Sequence, residues 1–341
     1  MSSMEQLTEY TEIRNEIFNV TENNFEQLAL RIFRFQYDQN TFYRQYCHAI
    51  NINAGYIQKL EQIPFLPIQF FKSNRIVSGI FEPAVSFESS GTTGSVNSKH
   101  LVKDTGLYEE SFLRTFEQFY GDVTQYAIIG LLPSYLERKN SSLVWMVNEL
   151  IARSRNPQSG FYLYEFEKLK EVLEQHEKNR QQTLLIGVTY ALLDFFEKYP
   201  LKLQYTTIME TGGMKGRREE LTRKEVHNQL IKNTGVNHIL SEYGMTELLS
   251  QAYSTKEGIF HCPPWMKVLV RSEDDPFEIY LPGKLNKEFT NGAVNVIDLA
   301  NLFSCSFIAT DDMGKLYNEG SFEILGRLDN SDIRGCSLML L

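Results

Sequence analysis

The sequence predicts an α/β chain whose helices cover a layered, mostly parallel sheet, followed by a small β-rich subdomain. Three observations carry this. Apolar runs of strand length alternate with helix-period segments from residue 104 to about 257, and short apolar segments separated by turn residues replace them from about 258 to 325. The length, 341 residues with 42% hydrophobic and 23% charged content, supplies a core for both parts and excludes disordered and fibrous classes.

The first eighty residues read as helices with aromatic faces. They end in the segment 63–72, where Pro64 and Pro67 stop a helix and favour an extended, packed connection. The run 84–87 is apolar and β-branched enough to be a strand. After an Asp104 or Thr105 cap, Tyr108, Phe112, Phe116 and Phe119 recur at helical spacing, and 126–132 reads as a buried strand. A polar helix over about 165–182, a strand at 184–188, a helix at 190–198 and a strand at 205–209 continue the alternation. A helix from about Arg217 to a Gly235 C-cap and a strand at 237–240 complete it. Strands at 266–270, 277–281, 293–297, 306–309 and 322–325 make up the β-rich part. One unit over 1–325 results, with an α/β core at about 80–257, a β-rich subdomain at about 258–325, and a short segment 326–341 after it.

Composition narrows the function. With 34 Lys+Arg against 43 Asp+Glu the formal charge is −9, and no basic run occurs, which argues against a nucleic-acid partner. The four cysteines form no CxxC pair, so neither a disulfide framework nor a zinc site is expected. The first residues lack the basic and apolar regions of a signal peptide, and no 18-residue apolar run exists, so no transmembrane segment is expected and a cytoplasmic protein is. His261 and Cys262 are adjacent and would point to opposite strand faces, which speaks against a shared metal. Cys47, Cys262 and Cys305 lie in or beside apolar or aromatic segments and read as core residues, and His48 and His227 read as helical residues with packing or solvation roles.

Four segments carry chemistry. Ser89-Ser90-Gly91-Thr92-Thr93-Gly94 follows the 84–87 strand; its glycines permit tight turning and its hydroxyls and amides suit phosphate oxygens, although it lacks the GK[ST] of a Walker A loop. Ser241-Glu242-Tyr243-Gly244-Met245-Thr246-Glu247 offers an aromatic face for a purine, a hydroxyl for a phosphate and a carboxylate for a divalent metal. Thr310-Asp311-Asp312-Met313-Gly314 places two carboxylates where ribose hydroxyls could donate to them. Gly326-Arg327-Leu328-Asp329 adds a guanidinium fork. Met245, Leu248 and Leu249 suit an apolar pocket lining or, by default, the core.

In this order the segments resemble the motifs of the adenylate-forming superfamily of acyl-CoA synthetases, adenylation domains and firefly-type luciferases, over roughly residues 60 to 335. The segments 63–72, 210–217 and 334–338 are similar to those of the LuxE-type acyl-protein synthetases within it. The resemblance implies that Ser89, Ser90, Gly91, Thr92, Thr93 and Gly94 hold ATP phosphates, that Gly212, Gly213, Glu242, Tyr243 and Gly244 line the adenine pocket, and that Thr246 binds the α-phosphate. Glu247 would hold Mg²⁺, Asp312 the ribose hydroxyls, and Arg327 the ribose or α-phosphate. Two departures stand out. Asp311 occupies the glycine position of the family's TGD, which leaves Asp311 and Asp312 as rivals for the ribose, with Asp312 favoured by its spacing to Gly314. Only residues 330–341 follow Asp329, so the family's C-terminal domain and its catalytic lysine are expected to be essentially missing.

Charge developing at the α-phosphorus still needs a cation, and Lys215 is the first candidate, with Lys99 second. Cys336, beside Arg334, has the position of the acyl-accepting cysteine in the LuxE-type pattern. The expected activity is an acid–thiol ligase: ATP- and Mg²⁺-dependent conversion of a carboxylic acid, fatty by the resemblance, to acyl-AMP, then transfer to Cys336 and on to a protein partner such as a reductase or carrier. An alternative on the same scaffold passes the acyl group to coenzyme A, a carrier protein or another external acceptor. A second alternative is a nucleotide- or acyl-binding protein without catalysis.

Overall fold

The computed structural model describes residues 3–89, 96–132, 140–213 and 221–328. The aromatic-faced beginning forms helices Ser3–Ile17, Phe25–Gln39 and Thr41–Ala49, the last capped by the Asn40 side chain, which accepts from the Tyr43 amide at 2.9 Å. At the two prolines the chain extends as expected. Leu66–Pro67 is a short edge strand, parallel to Phe307–Tyr317, where the missing proline N–H costs no ladder bond.

Thirteen strands of the described residues form one sheet. Its parallel part runs in the order Gly160–Phe161, Ala127–Leu131, Thr183–Gly187, Thr206–Glu210 and Leu240–Tyr243. Ala127–Leu131 and Thr183–Gly187 are buried at every position, which is why they read as continuous apolar runs. The antiparallel part continues from Leu240–Tyr243 through Ala252–Ser254, Phe260–His261, Phe322–Arg327, Phe307–Tyr317, Phe289–Asp298, Met266–Arg271 and Ile279–Tyr280. A separate ribbon pairs Val85–Glu88 with Lys99–Val102.

Some boundaries differ from the sequence reading. The helix expected from about Arg217 begins, within the described residues, at Arg223, because Thr222 caps it in a reciprocal box with Glu225; it ends at a left-handed Gly235 as anticipated. The strand expected at 237–240 is Leu240–Tyr243, since residues 236–239 are spent bringing the chain from the helix back to the sheet. The helix Ser142–Ser154, for which no sequence signal was drawn, packs beside Ala127–Leu131. His48 and His227 are helical as expected, and Cys47 and Cys305 are buried, with the Cys47 thiol pushed up to about 12 by burial.

One irregularity sets up the site. Between Ala309 and Met313 the strand Phe307–Tyr317 bulges, so that Thr310, Asp311 and Asp312 stand opposite Val294 alone. On its other edge the neighbour changes at the same place. Leu66–Pro67 pairs with Ile308 and Ala309, whereas Phe322–Arg327 pairs with residues from Asp312 onward. The sheet therefore has a seam at Asp311, entered by Ile68 from one side and Leu328 from the other: Ile68 N donates to Ala309 O at 2.9 Å and Leu328 N to Asp311 O at 2.9 Å.

Candidate active site

At this seam lies a polar pocket of about 270 Å³ whose walls include Ser89, Glu242, Tyr243, Gly244, Thr246, Glu247, Asp311, Asp312 and Arg327. Four segments separated by up to 238 residues of sequence thus converge on one cavity. Gly212 and Gly213 lie in the turn after Thr206–Glu210, next to Thr211 on the pocket wall, with φ of 72° and 89° that suit glycine. Ser90 to Gly94, Lys215 and Cys336 fall outside the described residues. Lys99 is exposed and lies 3.8 Å from Glu88 across the ribbon.

Each wall is held by buried polar groups. Asp312 is cross-strand to Arg327 and accepts from the Tyr243 hydroxyl at 2.9 Å, with the Arg327 Nε 3.6 Å away. Burial raises the Asp312 pKa, against the pull of Arg327 and Tyr243. The Tyr243 ring packs edge-on against Phe322 at 5.4 Å, so that its hydroxyl is aimed and its motion restricted. Asp311 hydrogen-bonds Gln69, placing it on the side of the seam toward Leu66–Pro67.

A Cβ on Gly244 would press on the Glu242 carboxyl, the far end of a flexible side chain, which would have to shift to admit it. Part of Glu242 opens onto the pocket, yet burial, and next the negative charge of Glu210, push its pKa up to about 8, so at neutral pH it carries a proton. Glu210 behaves oppositely. Burial pushes its pKa upward, but His227, the Arg223 charge, Ser241 and the Gly212 amide outweigh this and hold it at about 2. Its Oε2 accepts from Gly212 N at 2.7 Å and Thr189 Oγ1 at 3.1 Å, and its Oε1 faces Arg223 Nε at 3.3 Å. The glycine turn is thereby tied to a buried carboxylate.

Four further supports were missed in the sequence. His100, on the ribbon strand Lys99–Val102, is buried with Nδ1 2.8 Å from the Thr246 carbonyl and Nε2 2.9 Å from Asn301 Oδ1. Asn301 in turn donates to the carbonyls of Glu247 at 2.8 Å and Cys305 at 2.9 Å. Asp298 caps the following turn, accepting from the amides of Leu249 and Ser250 at 2.7 and 3.0 Å; burial pushes its pKa up to about 6 despite these bonds. On the other wall, Arg271 donates to the carbonyls of Val294 at 2.9 Å and Thr310 at 2.8 Å and to Asn295 Oδ1 at 2.6 Å, pinning the bulge that presents Asp311 and Asp312. No local pattern marks these residues, because their partners are distant in sequence. Met245 lines the pocket, whereas Leu248 and Leu249 are buried in the core.

Among the described residues no group of three or more His, Cys, Asp or Glu is arranged to hold a metal, and no helix is long and apolar enough to cross a membrane. No family model matches the chain. A long-chain-fatty-acid–luciferin-component ligase of Aliivibrio fischeri is 23% identical over 344 residues, covering 92% of this chain and 87% of the relative. Among solved structures, a 2-hydroxyisobutyryl-CoA ligase in an open conformation, in complex with 2-HIB-AMP and CoA, superposes with a TM-score of 0.62 at 10% identity, over 89% of this chain and 70% of that one. A long-chain-fatty-acid–CoA ligase from Archaeoglobus fulgidus superposes with a TM-score of 0.50 at 16% identity; 72% of this chain is covered, and it spans only 52% of that enzyme's length. The fold is therefore that of the adenylate-forming enzymes, as the order of the motifs implied, and the sequence is similar along most of its length to a LuxE-type long-chain-fatty-acid ligase.

Proposed function

We propose that the chain is an adenylate-forming ligase that activates a fatty acid with ATP and Mg²⁺ to acyl-AMP and passes the acyl group to Cys336 and then to a protein partner. The observation that carries this reading is the convergence of Ser89, Thr246, Glu247, Asp312 and Arg327 on one polar pocket. In that pocket Asp312, steadied by Tyr243, accepts from the ribose hydroxyls, and Glu242 has a proton to donate to a purine ring nitrogen. Thr246 donates to the α-phosphate, and Arg327 meets the ribose or α-phosphate. Glu247, 5% exposed and on the pocket wall, fits a Mg²⁺ site of one carboxylate completed by phosphate oxygens. Mg²⁺ there would supply neutralisation of phosphate charge. The attacking carboxylate displaces pyrophosphate by a reaction governed by positioning and electrostatics, with Lys215 as the cation nearest the glycine turn in sequence.

ATP–pyrophosphate exchange with a panel of carboxylic acids is the test. Exchange driven by long-chain acids is expected, and Glu247→Gln should lower it at least a hundredfold while leaving the fold intact. Nucleotide binding without exchange would make the chain a binder and end the ligase reading. Cys336→Ala should keep exchange yet lose a hydroxylamine-labile acyl label on the protein, because the thiol is needed only after pyrophosphate has left. Equal labelling of wild type and variant removes Cys336 as the acceptor; exchange without any label on the wild type points to an external acceptor.

A further inference from the structure

On the far side of the Gln69–Asp311 hydrogen bond lies a second cleft, of about 820 Å³, and Gln69 and Asp311 line both. Its walls are mostly aliphatic and aromatic side chains, among them Ile52, Ile57, Ile63 and Phe65. Tyr56 and Phe277, 77% and 59% exposed, leave two large hydrophobic groups of this wall in water. One buried polar group is also unserved there. Arg271 can only donate, so Asn295 Oδ1 takes its bond, and Nδ2 is a buried donor with no hydrogen-bond partner among the described residues. A native protein seldom leaves such a donor unmet, and whatever meets it carries an acceptor. Apolar walls with one donor among them suit a peptide whose side chains are apolar and whose backbone supplies carbonyls.

The chain itself delivers such a peptide to this place. Leu328 is on the cleft wall, its amide bonded to Asp311 O at 2.9 Å, so residue 329 starts from there. From 329 to 337 the sequence is polar or small apart from Ile333 and Cys336. Leu338-Met339-Leu340-Leu341 then brings four consecutive apolar side chains, a run that is a fault on a surface unless it has a use. Nine residues can span about 30 Å, ample for the run to turn back onto the cleft where the segment began. A short linker also sets an effective concentration on the order of millimolar, so modest apolar contacts suffice to hold it.

We propose that residues 338–341 dock in this cleft, with their side chains against Ile52, Ile57 and Phe277 and a backbone carbonyl on Asn295 Nδ2. Residues 329–337 then form a loop fastened at both ends. Cys336, two residues before the docked run, is held beside the Gln69–Asp311 wall that the cleft shares with the polar pocket. The docking is independent of the ligase reading, whereas its use rests on that reading: it keeps the acyl-accepting thiol one wall away from the acyl-adenylate.

The test follows the segment in the full chain carrying Cys336→Ser and Leu340→Cys, with a bimane fluorophore on the introduced thiol. Cys47, Cys262 and Cys305 stay unlabelled, because burial raises their thiol pKa values. Tyr56→Trp, a contact quencher on the cleft wall, should lower bimane emission at least twofold. Adding Leu338→Asp and Leu341→Asp should restore it, because carboxylates do not enter an apolar cleft unpaired. Unquenched emission, or quenching that survives the two aspartates, overturns the proposal. With Cys336 and Leu340 in place, the aspartate pair should leave pyrophosphate exchange unchanged and slow acyl labelling of Cys336 at least tenfold; labelling at the wild-type rate overturns the positioning of the thiol. If the quenching behaves as expected while no acid drives exchange in wild type, the docking stands and the ligase reading falls.

Discussion

The two walls of the polar pocket are fastened by mirror-image devices. On the parallel side, one buried anion, Glu210, collects donors: the Gly212 amide, the Thr189 hydroxyl and Arg223. On the antiparallel side one largely buried cation, Arg271, collects acceptors: two backbone carbonyls and the Asn295 amide oxygen. Both convert a single charge into a fixed loop. They differ in what can undo them, since a carboxylate can be protonated at attainable pH and a guanidinium cannot be deprotonated. Acid should therefore loosen the glycine turn while leaving the Thr310–Asp312 bulge in place.

Removing the cation sharpens this contrast most. Arg271→Met orphans the buried Thr310 carbonyl and the Asn295 Oδ1, each worth about 1–3 kcal/mol, so a loss of roughly 2–6 kcal/mol is expected in urea denaturation. The loss should change little between pH 5 and pH 8, apart from a small extra cost at pH 8 of ionised Asp311 left without the cation. A strongly pH-dependent loss would break the comparison.

Next in size is Glu210→Gln. Removing one partner of a buried pair costs about 3–5 kcal/mol, and about 2 is expected here because Arg223 keeps some contact with water. The folded-state pKa of Glu210 is depressed, so its contribution is present above its unfolded value near 4.5 and disappears as pH falls toward about 2. The variant and wild type should converge in stability over that interval; parallel curves through it would show that Glu210 is not the acid-sensitive fastening.

Glu242 differs from both, because its sign is reversed. Its folded pKa is raised to about 8, so its contribution is present below about 4.5 and is lost as pH rises through 8. Glu242→Gln should match wild type near pH 4 and exceed it by a measurable margin at pH 8.5. Equal thermal midpoints at pH 8.5 would mean that Glu242 ionises without penalty.

The chemistry-bearing residues were legible in the sequence because they sit in short, locally patterned segments: Ser89 after its strand, Tyr243 to Glu247, Asp312, and Arg327. What holds them was not. His100 reaches Thr246 across 146 positions, and Arg271 reaches Thr310 across 39, with no periodicity linking either pair. The strand misplaced at 237–240 has a related cause. Ser241, Glu242 and Tyr243 are too polar to read as the interior of a sheet, yet Ser241 is paired on both edges, by Glu210 and Ser254, and Glu242 and Tyr243 are paired with Tyr253 and Ala252. Polarity inside a central strand is the mark of a site beginning before the strand ends. The parallel block was readable for the opposite reason, since burial of both faces leaves Ala127–Leu131 and Thr183–Gly187 with hardly a polar residue.

The ribbon of Val85–Glu88 and Lys99–Val102 forms no ladder with the large sheet, and in a chain of this size such a two-stranded piece would ordinarily swing as a separate flap. Buried Phe87 and Val102 hold it to the core, and His100 ties it to the site, because the imidazole that belongs to the ribbon is bonded to the Thr246 carbonyl and to Asn301. Ribbon and Thr246 turn therefore move as one lever, and a pull on Ser89 is felt at Thr246. In hydrogen-exchange terms the amides of Lys99–Val102 and those of Leu249 and Ser250 should open in a single event, with one free energy, although the first belong to the ribbon and the second to the turn before Ala252–Ser254.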